Sequence, residues 1–293
     1  MIQHAIEKAA VLIEALPFLQ QFRGETVVVK FGGSLLEEEE NYAALLRDVA
    51  FMEILGLRPV LVHGGGKAIT ARMQEEGVQS EFRNGLRVTD AQTVAIVDDV
   101  LNHVVNPRIR EVLDRFQAPS IGLRGQELFE VRKHQVEQED GSMMDWGFVG
   151  DVLGVQTRAV TEALAQGLVP VVTPLGRDEA GQLYNINADE AAGALARELQ
   201  ARKLVFLSDV PGILRDPSDA ASLISSLGLS EMEELIEEGV IGGGMLPKLS
   251  GAVKALKAGV RKVHIIDASL THSLLLELFT EEGVGTEILS EAL

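Results

Sequence analysis

The sequence contains no cysteine, which excludes disulfides, thiolate zinc sites and thiol nucleophiles and fits a cytoplasmic protein. It has no apolar run near the roughly 20 residues of a membrane helix. Its first apolar stretch, Ala9 to Ile13, is bracketed by Glu7, Lys8 and Glu14, so neither a signal peptide nor a membrane span is expected. Positive charge is scarce: 26 basic against 44 acidic residues give a formal net charge of −18, which repels nucleic acid and anionic membranes at long range. Any anionic substrate therefore needs a local positive pocket. The common nucleotide and hydrolase signatures are missing as well. Without G-x-x-x-x-G-K-[ST], a post-strand G-x-G-x-x-G, H-E-x-x-H or G-x-S-x-G, the P-loop, Rossmann, zincin and α/β-hydrolase readings fall.

What is present is ample chain for a core, 293 residues with 46% hydrophobic content. Ile6, Ala9, Ile13 and Leu16 recur at helical spacing over 2–16, and Pro17 is expected to end that helix. Short Val/Ile/Leu runs follow at 27–31, 59–62, 169–172, 204–207 and 263–266, separated by amphipathic stretches. Continuous apolar runs alternating with helices predict an α/β fold, a three-layer αβα sandwich around a mainly parallel sheet. Between about 119 and 157 the pattern changes, and hairpins inserted before the next parallel strand are expected. Two lobes are expected to meet near Gly176, with segments 1–22, 23–176 and 177–293.

Three glycine clusters stand at the mouths of apolar runs: VVVKFGGS at 27–34, PVLVHGGGK at 59–67 and GGGMLPK at 242–248. Consecutive glycines between a buried strand and a helix bare backbone N–H groups and let an anion approach the main chain. Lys30 lies inside the first cluster, and a lysine in a buried strand is costly unless its ammonium reaches a pocket or partner. Lys248 stands beside the third. Two cations and two sets of amides around one polyanion point to phosphoryl transfer. The HGGG stretch also suits a tight strand-to-helix turn needing φ > 0, and His63 reads as a packed strand-end residue rather than a general base.

Further motifs surround these clusters. NGLRVTD at 84–90 offers Arg87, whose planar guanidinium can hold a carboxylate in bidentate fashion or form a surface salt bridge. In YNINADEAAGALAREL at 184–199, Asn187 is expected as a helix N-cap with Glu190 as its capping-box partner. That leaves Asn185 and Asp189 unexplained by capping. KLVFLSDVPGIL at 203–214 carries a strand into Asp209, at a carboxyl end where α/β proteins bind ligands.

In order, KFGGS, VHGGGK, NGLRVTD, YNINADEAA, LSDVPGIL, GGGMLPK and VHIIDAS resemble the amino-acid kinase family from about 25 to 290. Within it, they resemble the members that phosphorylate the side-chain carboxylate of N-acetyl-L-glutamate in arginine biosynthesis. The resemblance implies ATP and Mg²⁺ as co-reactants. It implies that Lys30 and Lys248 stabilise the transferring phosphoryl group and that Asp189 organises them. Gly65 and Gly66 would hold the acceptor carboxylate, with Arg87 and Asn185 at its α-carboxylate end. Gly32, Gly33, Asp209 and Gly244 would serve ATP, and no side-chain metal site is assigned. The N-terminal helix resembles that of the arginine-inhibited members, in which it interlaces homodimers into a hexamer. Lys203, Glu281 and Gly283 are then effector contacts, and Phe18 stands where an aromatic hydroxyl is usual. SIGLRGQELF at 120–129 departs from the family's more usual sequence.

Two rivals remain open. A kinase for a carrier-linked aminoadipate would need an open, positively charged docking surface, which the charge of −18 disfavours. A non-catalytic nucleotide- or amino-acid-binding regulator would have no need of Lys30, Lys248 and Asp189 together.

Overall fold

The computed structural model describes residues 2–32, 39–137, 141–216, 218–241, 245–280 and 283–290. The chain opens with α1 (Ile2–Glu14) and α2 (Leu16–Phe22), then enters β1 (Thr26–Phe31), α3 (Glu39–Ile54), β2 (Arg58–His63) and α4 (Gly66–Glu75). A short hairpin, β3 (Phe82–Arg83) and β4 (Leu86–Arg87), precedes α5 (Ala91–Asp99), a π-helical turn (Val100–Val105), α6 (Asn106–Arg115) and β5 (Ser120–Leu123). Next come a long hairpin, β6 (Phe129–Glu137) and β7 (Met143–Val155), then α7 (Arg158–Ala165), β8 (Val169–Val172), β9 (Leu175–Arg177) and β10 (Leu183–Asn185). The remainder is α8 (Ala188–Glu198), β11 (Lys203–Ser208), β12 (Ser226–Gly228), α9 (Leu229–Glu237), α10 (Met245–Lys257), β13 (Lys262–Asp267), α11 (Ser273–Phe279) and β14 (Gly285–Leu289).

All five apolar runs are strands of one eight-stranded sheet, ordered β12-β14-β13-β11-β1-β2-β8-β5. Among the described residues, only its β13–β14 pair is antiparallel. β1 lies centrally, flanked by β11 and β2, and its alternation sorts two cores. Val27, Val29 and Phe31 pack with Tyr42, Val97, Ile109 and Leu274 of α3, α5, α6 and α11. Val28 faces the opposite layer, with Leu195 of α8 and Leu249 and Ala252 of α10. Each fully buried Val or Leu contributes roughly 1.5–3 kcal/mol, enough to offset the roughly 1–2 kcal/mol of backbone entropy lost per residue. These are the three αβα layers. Lys30 shares the parity of Val28 and so faces the α8 layer.

Two local expectations are corrected. Pro17 does not end helical structure but opens α2 in its first turn, where a missing N–H costs nothing. The region from 119 also begins with a parallel strand, β5, paired to β8. Its apolar run is cut by Gly122, where a Cβ would lie 2.4 Å from Asn106 Oδ1. The expected hairpin is β6–β7, which closes with β9 and β10 into a small barrel. On α1, Ile2, Ile6 and Ile13 are exposed, while Phe18 of α2 packs half-buried against the core.

Candidate active site

β2 delivers the HGGG stretch to the start of α4, with Gly65 as N-cap. None of Gly64, Gly65 and Gly66 has positive φ, so a left-handed turn is not what requires glycine there. Close approach is. A Cβ on Gly65 would lie 2.6 Å from Leu101 Cδ2, whereas one on Gly66 would enter open space. The Gly65 carbonyl accepts from Ile69 N–H at 2.8 Å, and the amides at a helix start have no intrahelical acceptor.

The loop faces a cavity of about 170 Å³ whose lining includes Gly65, Gly66, Arg87, Asn185, Leu101 and Pro174. All four residues assigned to the acceptor thus share one cavity. A larger adjoining cavity, about 660 Å³, shares Gly85, Leu86, Val149 and Asn187 with it under the β6–β7 hairpin. Arg87 is 5% exposed, which replaces the expectation of a surface salt bridge. Its Nη2 donates to Gly66 O and Thr70 Oγ1, both at 2.9 Å. Its Nη1 donates to Ser80 Oγ and, at 3.3 Å, to Met73 Sδ, and the guanidinium carbon lies 4.5 Å over the Phe82 ring. Every one of these partners is neutral. Burial pulls the Arg87 pKa down, yet an arginine remains charged, so the cavity wall carries a cation that no carboxylate among the described residues pairs with. A bidentate grip would exchange some of these Nη contacts. Asn185 Nδ2 reaches Thr89 Oγ1 at 3.5 Å.

The phosphoryl-side candidates gather at the start of α8. Asn187 caps it as expected, its side chain accepting from Asp189 N–H at 2.8 Å and Glu190 N–H at 3.4 Å. Glu190 does not return the bond to Asn187. It accepts from Val152 N–H at 3.1 Å and pairs with Lys254 at 3.5 Å, because β7 and α10 crowd this helix. Asp189 Oδ1 lies 2.7 Å from Lys30 Nζ, one residue beyond Ala188 of the cavity wall. A Cβ on Gly251 of α10 would lie 3.2 Å from Asp189 Cβ, so α10 seats directly on the pair. Lys248 stands one turn earlier in α10; its side chain is outside the described residues, as are Gly33 and Gly244. Gly32 directly follows β1, and Asp209 lies exposed at the carboxyl end of neighbouring β11.

The candidate effector residues lie elsewhere. Lys203, at the start of β11, places its ammonium 5.2 Å over the Phe22 ring of α2. Burial lowers its pKa, partly offset by Glu277 and Glu287. Gly283 has φ +61°, and a Cβ there would lie 3.2 Å from Glu277 Oε2. Glu281 lies outside the described residues. Glu277 Oε1 bonds His264 Nδ1 and Oε2 accepts from Val284 N–H at 3.0 Å. Burial alone would raise the Glu277 pKa, but His264, Val284 N–H and Lys203 hold it below the usual range.

Sequence reasoning missed three participants. Thr89 ties the site together: Oγ1 donates to Arg87 O at 2.9 Å, and its backbone pairs with the hairpin around Gly147. Gly147 has φ +76°, with a Cβ clash of 2.2 Å against Thr89 O, so a glycine is required there on both counts. Leu101 reads in sequence as one more helical apolar residue, and Glu277 as a charge on a helix. Among the described residues no group of three His, Asp or Glu could hold a metal ion, and no helix is long and apolar enough to cross a membrane.

Residues 25–267 match the amino acid kinase family. The chain is 45% identical to an acetylglutamate kinase of Akkermansia muciniphila, over 99% of this chain and 98% of that protein. Among solved structures it is similar to N-acetylglutamate synthase of Neisseria gonorrhoeae complexed with coenzyme A and N-acetylglutamate, at 30% identity and a TM-score of 0.84. That match covers 97% of this chain but 64% of the synthase. A complex of the same synthase with coenzyme A and L-arginine matches at 29% identity and a TM-score of 0.81, over 97% of this chain and 66% of the synthase.

Proposed function

The chain belongs to the amino acid kinase family, and we propose that it transfers the γ-phosphoryl group of ATP to the side-chain carboxylate of N-acetyl-L-glutamate, as an acetylglutamate kinase of arginine biosynthesis. The observation that carries this reading is the juxtaposition of the Lys30–Asp189 pair with a cavity that collects Gly65, Gly66, Arg87 and Asn185. Similarity to acetylglutamate kinases along nearly the whole chain supports the substrate.

The chemistry needs no general base. A glutamate side chain, with a pKa of about 4.3, is already ionised at neutral pH. His63 is not needed as one, and burial pushes its pKa down to about 4. The obstacle is repulsion between two anions. Gly65 and Gly66 amides at the positive end of α4 hold the acceptor carboxylate, while Arg87 and Asn185 hold its α-carboxylate end. Lys30 and Lys248 neutralise charge on the transferring group, and Asp189 orients them. Gly32, Gly33, Asp209 and Gly244 form the nucleotide side. Magnesium enters with ATP, bound mainly by phosphate oxygens, and supplies charge neutralisation across the phosphates. The cytoplasm is the compartment implied.

Two finer parts belong to the same reading. Arginine inhibits by binding at Lys203, Glu281 and Gly283. The exposed Ile2, Ile6 and Ile13 face of α1 packs on another copy, interlacing homodimers as a hexamer.

The test is ATP consumption coupled to hydroxylamine trapping of an acyl phosphate. N-acetylglutamate, free glutamate, aspartate and a blocked aminoadipate are compared side by side. Hydroxamate should form preferentially with N-acetylglutamate; preference for the blocked aminoadipate, or no turnover with any of them, contradicts the proposal.

A further inference from the structure

Behind the glycine loop runs a buried chain of hydrogen bonds with fixed polarity. His63, the last residue of β2, is fully buried. Its Nδ1 lies 3.0 Å from the Gly64 carbonyl oxygen and its Nε2 3.2 Å from Asn106 Nδ2. Asn106 Nδ2 also donates to the Val171 carbonyl at 2.8 Å. A carbonyl only accepts, so the amide nitrogen of Asn106 is the end that meets both partners. Gly122 leaves room for the other end, since a Cβ there would lie 2.4 Å from Asn106 Oδ1. One imidazole tautomer satisfies this arrangement: Nε2 accepts from Asn106, and Nδ1–H donates to Gly64.

That last bond fixes the peptide joining Gly64 to Gly65. Among the described residues no peptide bond is cis, and in a planar trans peptide the C=O and N–H point in opposite directions. A Gly64 carbonyl turned toward a buried ring therefore turns the Gly65 N–H away from it, toward the cavity that Gly65 lines. Glycine has the most conformational freedom to lose, so a peptide between two glycines needs such an anchor. Gly64 N–H is held in turn by Phe31 O at 3.0 Å.

We propose that His63 and Asn106 are positioning residues for the acceptor carboxylate, a single imidazole tautomer holding the Gly65 amide in the orientation that receives it. The inference rests on the carboxylate-phosphorylating reading above. His63 touches none of the reacting atoms, and its lowered pKa keeps it neutral through the physiological range.

Wild-type turnover with N-acetylglutamate, measured first, tests the substrate reading by itself. The inference is then tested on the full-length ¹⁵N-histidine-labelled protein by NMR of the imidazole nitrogens, which needs no turnover. Wild type should show His63 protonated on Nδ1, and Asn106→Asp, whose carboxylate only accepts, should move the proton to Nε2. In steady state, Asn106→Asp and His63→Met should raise the KM for N-acetylglutamate on the order of tenfold or more, with the KM for ATP within about twofold. His63→Asn, whose amide N–H can replace Nδ1–H, should recover most of that loss. An Nε2–H tautomer in wild type overturns the inference. So does an unchanged acceptor KM in His63→Met, or an equal rise in both KM values.

Discussion

The Lys30 ammonium lies 2.7 Å from the Asp189 carboxylate, and each side chain is 10% exposed. Lys30 arrives from the end of the central strand and Asp189 from the first turn of α8, so the pair joins sheet to helix at the point where α10 also lands. A pair this deep adds little net stability, but deleting one partner strands the other charge.

Asp189→Ala should therefore destabilise the fold by on the order of 3–5 kcal/mol and lower turnover by about 10²-fold. Replacing both, as Lys30→Met with Asp189→Leu, should recover most of the stability and none of the turnover. Urea unfolding and kcat on the same preparations separate the two roles.

Lys248→Ala should lower kcat on the order of 10²-fold, by comparison with the loss of one transition-state hydrogen-bond donor. Near-normal turnover would remove Lys248 from the phosphoryl-transfer machinery.

Arg87→Lys keeps the charge but loses the fork that reaches Gly66, Thr70, Ser80 and Met73. The KM for N-acetylglutamate should rise roughly 10- to 100-fold while the KM for ATP holds, as read by varying each substrate at saturation of the other.

The sheet was legible because VVV, VLV and their counterparts are unbroken apolar runs, which only a sheet covered on both faces can bury. β5 was less so, since Gly122 interrupts SIGL to admit Asn106. In the site, glycine spacing and the Asn187 cap exposed the loops and the start of α8. What stayed hidden depends on contacts far apart in sequence: the burial of Arg87 is set by Gly66, Thr70, Met73 and Ser80. Leu101 and Glu277 carry no local signal that separates them from ordinary helix residues. Pro17 was ambiguous by nature, because a helix stop and a helix start use the same residue.

His63 also predicts a pH dependence of stability. Its pKa is about 4 in the fold against an unfolded value of about 6.5. Between those values the unfolded chain binds more protons, so stability rises with pH there and is lost as pH falls below about 6.5. Chemical denaturation at pH 7 and pH 5 should show a His63 contribution to the loss on the order of 2 kcal/mol. His63→Asn should lack that share. His264, also buried with a lowered pKa, adds to the slope in the same direction and remains in the variant.

Arginine should inhibit wild type, and Lys203→Ala should weaken that inhibition on the order of tenfold or more while leaving kcat within about twofold. Initial rates across an arginine titration read both quantities. Inhibition unchanged in Lys203→Ala would locate the effector elsewhere.

The central claim is tested most directly by a crystal structure with a non-hydrolysable ATP analogue and N-acetylglutamate bound together. The account predicts the γ-phosphoryl group within hydrogen-bond reach of Lys30 Nζ and the acceptor carboxylate on the Gly65 and Gly66 amides. A nucleotide bound away from Lys30, or an acceptor outside the cavity that holds Arg87 and Asn185, would contradict it.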